Sequence, residues 1–192
     1  MRVHEIVMSI INNIHDEPDL KPSEFIKKYW KRYKTQFESN QNLNGKVFEE
    51  LIAIALIRSN ILPFYMQASV AFIPNVNYDF IIYSKVQGPI VLSAKTSLRE
   101  RYKQADLEAA ALKYVHRKSE SHVLSLNSNE IEVRQRNMDG IMAIDTFVDA
   151  RSSDFDDLIA ELARKEAILP EPIKIVTSNY IITSENSLKR YS

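Results

Sequence analysis

At 192 residues, 45% hydrophobic and 26% charged, the chain has the size and composition of one globular domain with a substantial core. Its 25 basic and 25 acidic residues cancel, so contact with a polyanion must come from local basic patches and not from the field of the whole molecule. With no cysteine there is no disulfide and no thiolate metal site, which suits a reducing cytoplasm. No signal peptide and no apolar run of membrane-spanning length is expected, and His4, His15, His116 and His122 lack zinc-ligand spacing.

The pattern predicts helices over 2–14 and 24–37, separated by a break from Asp16 to Pro22 in which Pro18 and Pro22 interrupt helix. The second carries Lys27-Lys28-Tyr29-Trp30-Lys31-Arg32-Tyr33-Lys34, where aromatics interleave with bases. Such a run either clamps nucleic acid or packs its rings inward with the bases facing water. Gly45 is read as opening a third helix that runs to about Ser59, with Phe48, Leu51, Ile52, Ala55 and Leu56 on one apolar face. A strand is expected over Phe64 to Ile73.

Asn77-Tyr78-Asp79-Phe80-Ile81-Ile82-Tyr83 and Pro89-Ile90-Val91-Leu92-Ser93-Ala94-Lys95 are β-branched and aromatic runs around Ser84-Lys85-Val86-Gln87-Gly88, the pattern of a hairpin. A turn centred near Gln87 sets Asp79 directly opposite Lys95, where Cβ atoms are about 4.5–5.5 Å apart. The same pair would also serve as an ordinary cross-strand ion pair. From Leu98 to Tyr114 the chain has good helix formers and no Gly or Pro, and Ser97-Leu98-Arg99-Glu100 reads as a capping box in which Ser97 caps and Glu100 reaches back. Glu108 lies on this helix. A strand at His122 to Leu126, a helix around Glu130 to Asn137, a strand at Ile141 to Val148, a helix at Asp154 to Ala167 and a strand at Ile173 to Ile182 complete the chain. Asp154, Asp156 and Asp157 resemble a metal cluster, but acids in a helix's first turn answer the helix dipole. This order predicts an α/β fold, a mixed β-sheet flanked by helices, as a single domain. Residues 1–44 form an N-terminal helical segment packed on or extending a core of 45–192.

Two acids and a lysine, Asp79, Lys95 and Glu108, thus converge from two strands and a helix. Two carboxylates and an ammonium at one point suit a divalent metal and a water beside a phosphate, the chemistry of a phosphodiesterase. Here the chain resembles the PD-(D/E)XK restriction endonucleases, in particular the EcoRII-like subgroup that cuts CCGG or CCNGG-type sites. The resemblance spans about Gly45 to Met138. It rests on Gly45-Lys46-Val47-Phe48-Glu49, on Leu62-Pro63-Phe64 with Gln67, and on Asn77-Tyr78-Asp79-Phe80, which lacks the family's usual proline. Its most specific part is Ser93-Ala94-Lys95 through Gln104, followed by Glu108. Most of the superfamily has an acid where Ser93 stands. The subgroup resembled takes that carboxylate from the following helix, and twelve residues separate Lys95 from Glu108.

The resemblance implies a restriction-endonuclease-like fold and Mg²⁺ held by Asp79, Glu108 and the Ala94 carbonyl. Lys95 orients or deprotonates the attacking water, and Glu49 is an accessory acid with Glu50 as the neighbouring alternative. The implied partner is double-stranded DNA, cut at a short palindrome with CC and GG half-sites to leave 5′-phosphates. The basic run Arg99-Glu100-Arg101-Tyr102-Lys103 is the expected DNA-binding segment, since arginine matches guanine bidentately and glutamate accepts from cytosine. A palindrome cut in both strands implies a two-fold homodimer. A repair or transposon nuclease of the same fold, and a non-catalytic DNA-binding module, are the alternative readings. Residues 1–44 and 139–192 match no motif.

Overall fold

A computed structural model describes residues 2–16, 19–38, 40–170, 176–187 and 189. Its elements are α1 (Val3–Ile10), α2 (Pro22–Gln36), α3 (Gln41–Arg58), β1 (Phe64–Val70), β2 (Tyr78–Ser84), β3 (Gly88–Lys95), α4 (Arg101–Val115), β4 (Glu120–Ser125), α5 (Ser128–Arg136), β5 (Thr146–Asp149), α6 (Ser153–Arg164) and β6 (Val176–Ile182). The six strands form one mixed sheet in the order β5-β4-β3-β2-β1-β6. Pairing is parallel for β3–β4 and β4–β5 and antiparallel for the rest. The predicted mixed sheet flanked by helices is therefore the observed fold. Among the described residues no helix is long and apolar enough to cross a membrane.

Strand alternation sorts the core into two sides. Phe64, Met66, Phe80, Ile82, Leu92, Leu124 and Val148 join one cluster with α1, α2, α3 and α6. Tyr65, Ile81 and Val91 face Leu112 of α4, and Val123 and Phe147 face Ala105 and Ala109 of α4 and Ile131 of α5. The aromatics of α2 belong to the core: Phe25, Tyr29 and Tyr33 are buried, and Trp30 packs on Tyr33 and Phe48 at 5.3 and 6.1 Å between ring centroids. Lys27, Lys28, Lys31, Arg32 and Lys34 face outward. Phe25, Tyr29 and Tyr33 are thereby closed to stacking on nucleic acid, while Trp30 is half-buried.

Several expected boundaries shift for identifiable reasons. Pro22 does not interrupt a helix but opens α2 at its first turn, where a missing N–H costs nothing; Pro18 lies outside the described residues. Asn40 caps α3 by accepting from Leu43 N–H, so the helix starts ahead of Gly45. Every residue from Glu50 to Ile57 is buried, because α3 is sandwiched between the sheet and α1/α2 and has no single apolar face. The predicted strand from Ile141 begins only at Thr146. The Asp106 carboxylate, buried on α4, accepts backbone N–H bonds from Met142, Ala143 and Ile144 at 2.8, 2.9 and 3.1 Å and holds that stretch as a loop. Residues 173–175 of the last predicted strand lie outside the described residues. Asp156 accepts from the Ser23 backbone N–H and hydroxyl, both at 2.8 Å, so this acid ties α6 to the start of α2.

At the other end of the sheet, His122 and Lys165 draw the Glu120 carboxyl down to about 2 against the effect of burial, with His122 Nε2 3.4 Å away and Lys165 ion-paired. A depressed carboxyl stabilises the fold above its ordinary pKa, and that contribution is lost as pH falls towards 2. Glu120→Gln should therefore cost on the order of 1–3 kcal/mol at pH 7, and the gap to wild type should narrow at pH 3. Urea unfolding at both pH values measures this; an equal loss at both would contradict it.

Candidate active site

The site forms where β2 and β3 part. Gly88, at φ +77°, closes a short loop that pairs Ser84 with Gly88 and Tyr83 with Pro89. The turn thus centres on Val86, one residue earlier than expected, and the register sets Asp79 opposite Ser93 and not Lys95. The two still meet diagonally, within reach of a long side chain: Lys95 Nζ donates to Asp79 Oδ2 at 2.9 Å. Regular pairing stops at Phe80 and Leu92. Beyond it, Ala94 N–H donates to the same Asp79 oxygen at 2.8 Å, so a carboxylate satisfies a backbone donor that a partner strand would otherwise take. Asp79 is held at a fixed point by two donors.

From one side of the sheet α3 brings Glu49. Its Oε2 accepts from Gln67 Nε2 at 2.9 Å, and burial together with the nearby Asp79 charge raises its pKa to about 7. Of the two adjacent acids, Glu49 is the one bonded to Gln67 and electrostatically coupled to Asp79 and Lys95. From the other side α4 brings Glu108. Burial raises its pKa, opposed by Gln104, which donates to Oε1 at 2.8 Å, and by Lys95; Asp79 adds to the rise. The Tyr78 hydroxyl, bonded to the Glu108 carbonyl at 3.0 Å, anchors α4 to the strand that carries Asp79.

Asp79, Lys95, Glu49 and Glu108 therefore share one electrostatic neighbourhood. Among the described residues no three acids or histidines stand close enough together to enclose a metal. The donor set nonetheless fits a hard divalent cation. Three carboxylates lie near a single ammonium, and burial, with Asp79 adding to it, raises the pKa of Glu49 and Glu108. Ser93 is buried in β3 and has no carboxylate to add.

The expected DNA-binding segment is only partly as anticipated. Ser97 and Glu100 make no capping box. Glu130, at the start of α5, accepts from Ser97 Oγ at 3.1 Å and from Leu98 N–H at 2.5 Å, so the Ser97 hydroxyl donates to α5 and does not cap α4. Glu100 instead pairs with Lys103 across the first turn of α4, and both are exposed. Arg99, at φ +34°, and Arg101 are exposed and line an open pocket of about 240 Å³ with Gln41, Thr96 and Ser97, directly after Lys95.

Gln67, Tyr78 and Gln104 lie in the segments that carry the resemblance but were given no role in the site, and Glu130 was not expected in it. Only Gln104, four residues before Glu108 on a helix, carried a local signal. No protein-family model and no curated protein matches the chain. Among solved structures, restriction endonuclease PspGI in complex with its substrate DNA is similar, with a TM-score of 0.56 and 18% identity over 100% of this chain and 86% of that one. Together with the mixed sheet and its flanking helices, this likeness shows that the chain has the fold of a restriction endonuclease.

Proposed function

We propose that this chain is a Mg²⁺-dependent endonuclease that hydrolyses double-stranded DNA at a short palindrome with CC and GG half-sites and leaves 5′-phosphates. The observation that carries the reading is the meeting of Asp79, Lys95, Glu49 and Glu108 at the split end of β2 and β3. The fold is that of a restriction endonuclease seen bound to its substrate DNA, and the motif order from Gly45 to Met138 resembles the EcoRII-like subgroup.

Asp79, Glu108 and the Ala94 carbonyl are the groups that would hold Mg²⁺, with Glu49 as the accessory acid. Bound there, the metal supplies Lewis acidity that lowers the pKa of a water and offsets charge on the phosphate. Lys95 positions the attacking water or takes its proton, and its ammonium adds positive charge where negative charge develops. The water oxygen bonds to phosphorus as the bond to the 3′ oxygen breaks; one water proton passes to the base and the departing 3′ alkoxide takes a proton from solvent, which leaves a 3′-hydroxyl and a 5′-phosphate. Arg99, Glu100, Arg101 and Lys103 follow the Lys95 strand directly, so a duplex with its phosphate at the acids would lie beside them. Two copies, one per strand, complete a palindromic cut.

Digestion of a sequenced plasmid in Mg²⁺, with run-off sequencing of the ends, tests the reading. Discrete fragments with 5′-phosphates at one palindrome support it; cleavage only at lesions or branched structures points to a repair or transposon nuclease, and no cleavage to a binding module. Base reading has its own test in Ca²⁺, where binding is measured without cutting. Losing a bidentate arginine–guanine contact costs about 1–3 kcal/mol of discrimination. Arg99→Ala and Arg101→Ala should weaken binding to the cognate site far more than to other DNA, whereas Lys31→Ala should lower both together or neither. Glu100→Gln should relax specificity, since its carboxylate caps no helix here. Parallel losses in both arginine variants, with full specificity in Glu100→Gln, would show that this segment does not read bases.

A further inference from the structure

Gln67 is the point at which β1 leaves regular strand geometry. Its φ is +48°, in the left-handed region that a residue with a Cβ enters only at a cost. The alternation of the strand slips there: Tyr65, Ala68 and Val70 all join the cluster under α4, although a regular strand would put Ala68 and Val70 on the opposite side from Tyr65. The neighbouring strand slips at the matching place, with Tyr78 and Ile81 in that same cluster and Phe80 in the other. Tyr65 pairs with Ile81, Met66 with Phe80 and Ala68 with Tyr78, so the two irregular points, Gln67 and Asp79, stand opposite each other.

The side chain shows what this backbone accomplishes. Gln67 Nε2 donates to Glu49 Oε2 at 2.9 Å and to Asp79 Oδ1 at 3.4 Å. Its Oε1 accepts from Asn77 Nδ2 at 3.1 Å, which sets the amide with its two N–H bonds towards the acids. One neutral group therefore links a carboxylate of α3 to a carboxylate of β2. Like charges brought together repel, and a second lysine would cancel the charge that attracts a cation. An amide donates to both acids and leaves their charge in place.

We propose that Gln67 is a positioning residue of the metal site, tying Glu49 to Asp79 and setting the spacing at which the two present oxygens to a divalent cation. This rests on the function proposed above. The test uses the full chain with Gln67→Gly, which relieves the backbone and deletes the bridge, and Gln67→Glu, which keeps the size but offers an acceptor where a donor stood. Mn²⁺ affinity is read from the electron paramagnetic resonance signal of the free ion, and folding from thermal melting.

Losing such an outer partner of a metal ligand typically costs 10–100-fold in affinity, so both variants should raise the Mn²⁺ dissociation constant by about 10–100-fold. Gln67→Gly should meanwhile melt no lower than wild type. In cleavage, the half-saturating metal concentration should rise by more than the rate at saturating metal falls. If wild type binds Mn²⁺ and cuts DNA while a folded variant keeps the wild-type dissociation constant, the positioning role is overturned and the nuclease reading stands. If wild type neither binds Mn²⁺ nor cuts, the nuclease reading falls and takes the inference with it. Should Gln67→Gly fail to fold, Gln67→Glu decides.

Discussion

Purified Asp79→Ala should fold, bind duplex DNA and cut none of it. Asp79 is the hub of the site: one of its oxygens takes the Lys95 ammonium and the Ala94 N–H, and the other lies within reach of the Gln67 amide. Its loss removes a proposed metal ligand and also releases the lysine. Lys95→Ala should cost roughly 10²–10³ in rate, the usual scale for deleting one group that stabilises transition-state charge. It also leaves Asp79 without its ion pair. Lys95→Arg should recover little, because a planar guanidinium does not replace a compact ammonium and does not give up its proton to act as a base. Circular dichroism guards against misfolding, and the rate is read under single turnover in Mg²⁺. Wild-type cleavage by Asp79→Ala would mean that the chemistry happens elsewhere on the molecule.

The second large effect should come from Glu108. Glu108→Gln keeps the shape and can still bond Gln104, yet removes one of three carboxylates facing Lys95 and the proposed cation. At fixed Mg²⁺ the rate should fall by on the order of 10²-fold or more, with part of the loss recovered at higher metal concentration. A coordinate set with bound divalent metal gives an independent check, since a Glu108 carboxylate turned to solvent away from Asp79 would end its role as a ligand. Ser93→Glu combined with Glu108→Ala moves the acid to the place where most of the superfamily carries it. Weak activity there would show that the site accepts its missing charge from either element.

Much of this site is legible along the chain because its parts are local. Runs of β-branched and aromatic residues mark β2 and β3 and leave Asp79 and Lys95 as the charged residues at their ends; helix formers without Gly or Pro mark α4 and carry Glu108. What escaped was decided by residues far apart in sequence. The one-residue error in the hairpin register came from Gly88, whose left-handed conformation closes the turn early. The expected capping box failed because Glu130, more than thirty residues on, competes for Ser97 and Leu98. Asp106 turned half of a predicted strand into a loop by the same kind of long-range bond. Gln67 stood out only through the family resemblance and had no role assigned, since its partners are on α3, on β2 and in the loop before β2.

The burial of α3 has a mechanical consequence. A helix enclosed on all sides from Glu50 to Ile57 cannot roll or slide without opening the core, so Glu49, one residue before that stretch, is mounted on the stiffest part of the molecule. On the opposite wall α4 is pinned by bonds from distant parts of the chain: Asp106 accepts the backbone N–H groups of Met142, Ala143 and Ile144, Lys113 pairs with Asp145, and the Tyr78 hydroxyl donates to the Glu108 carbonyl. The site is thus a vice with two braced jaws, one enclosed by the core and the other pinned by long-range bonds.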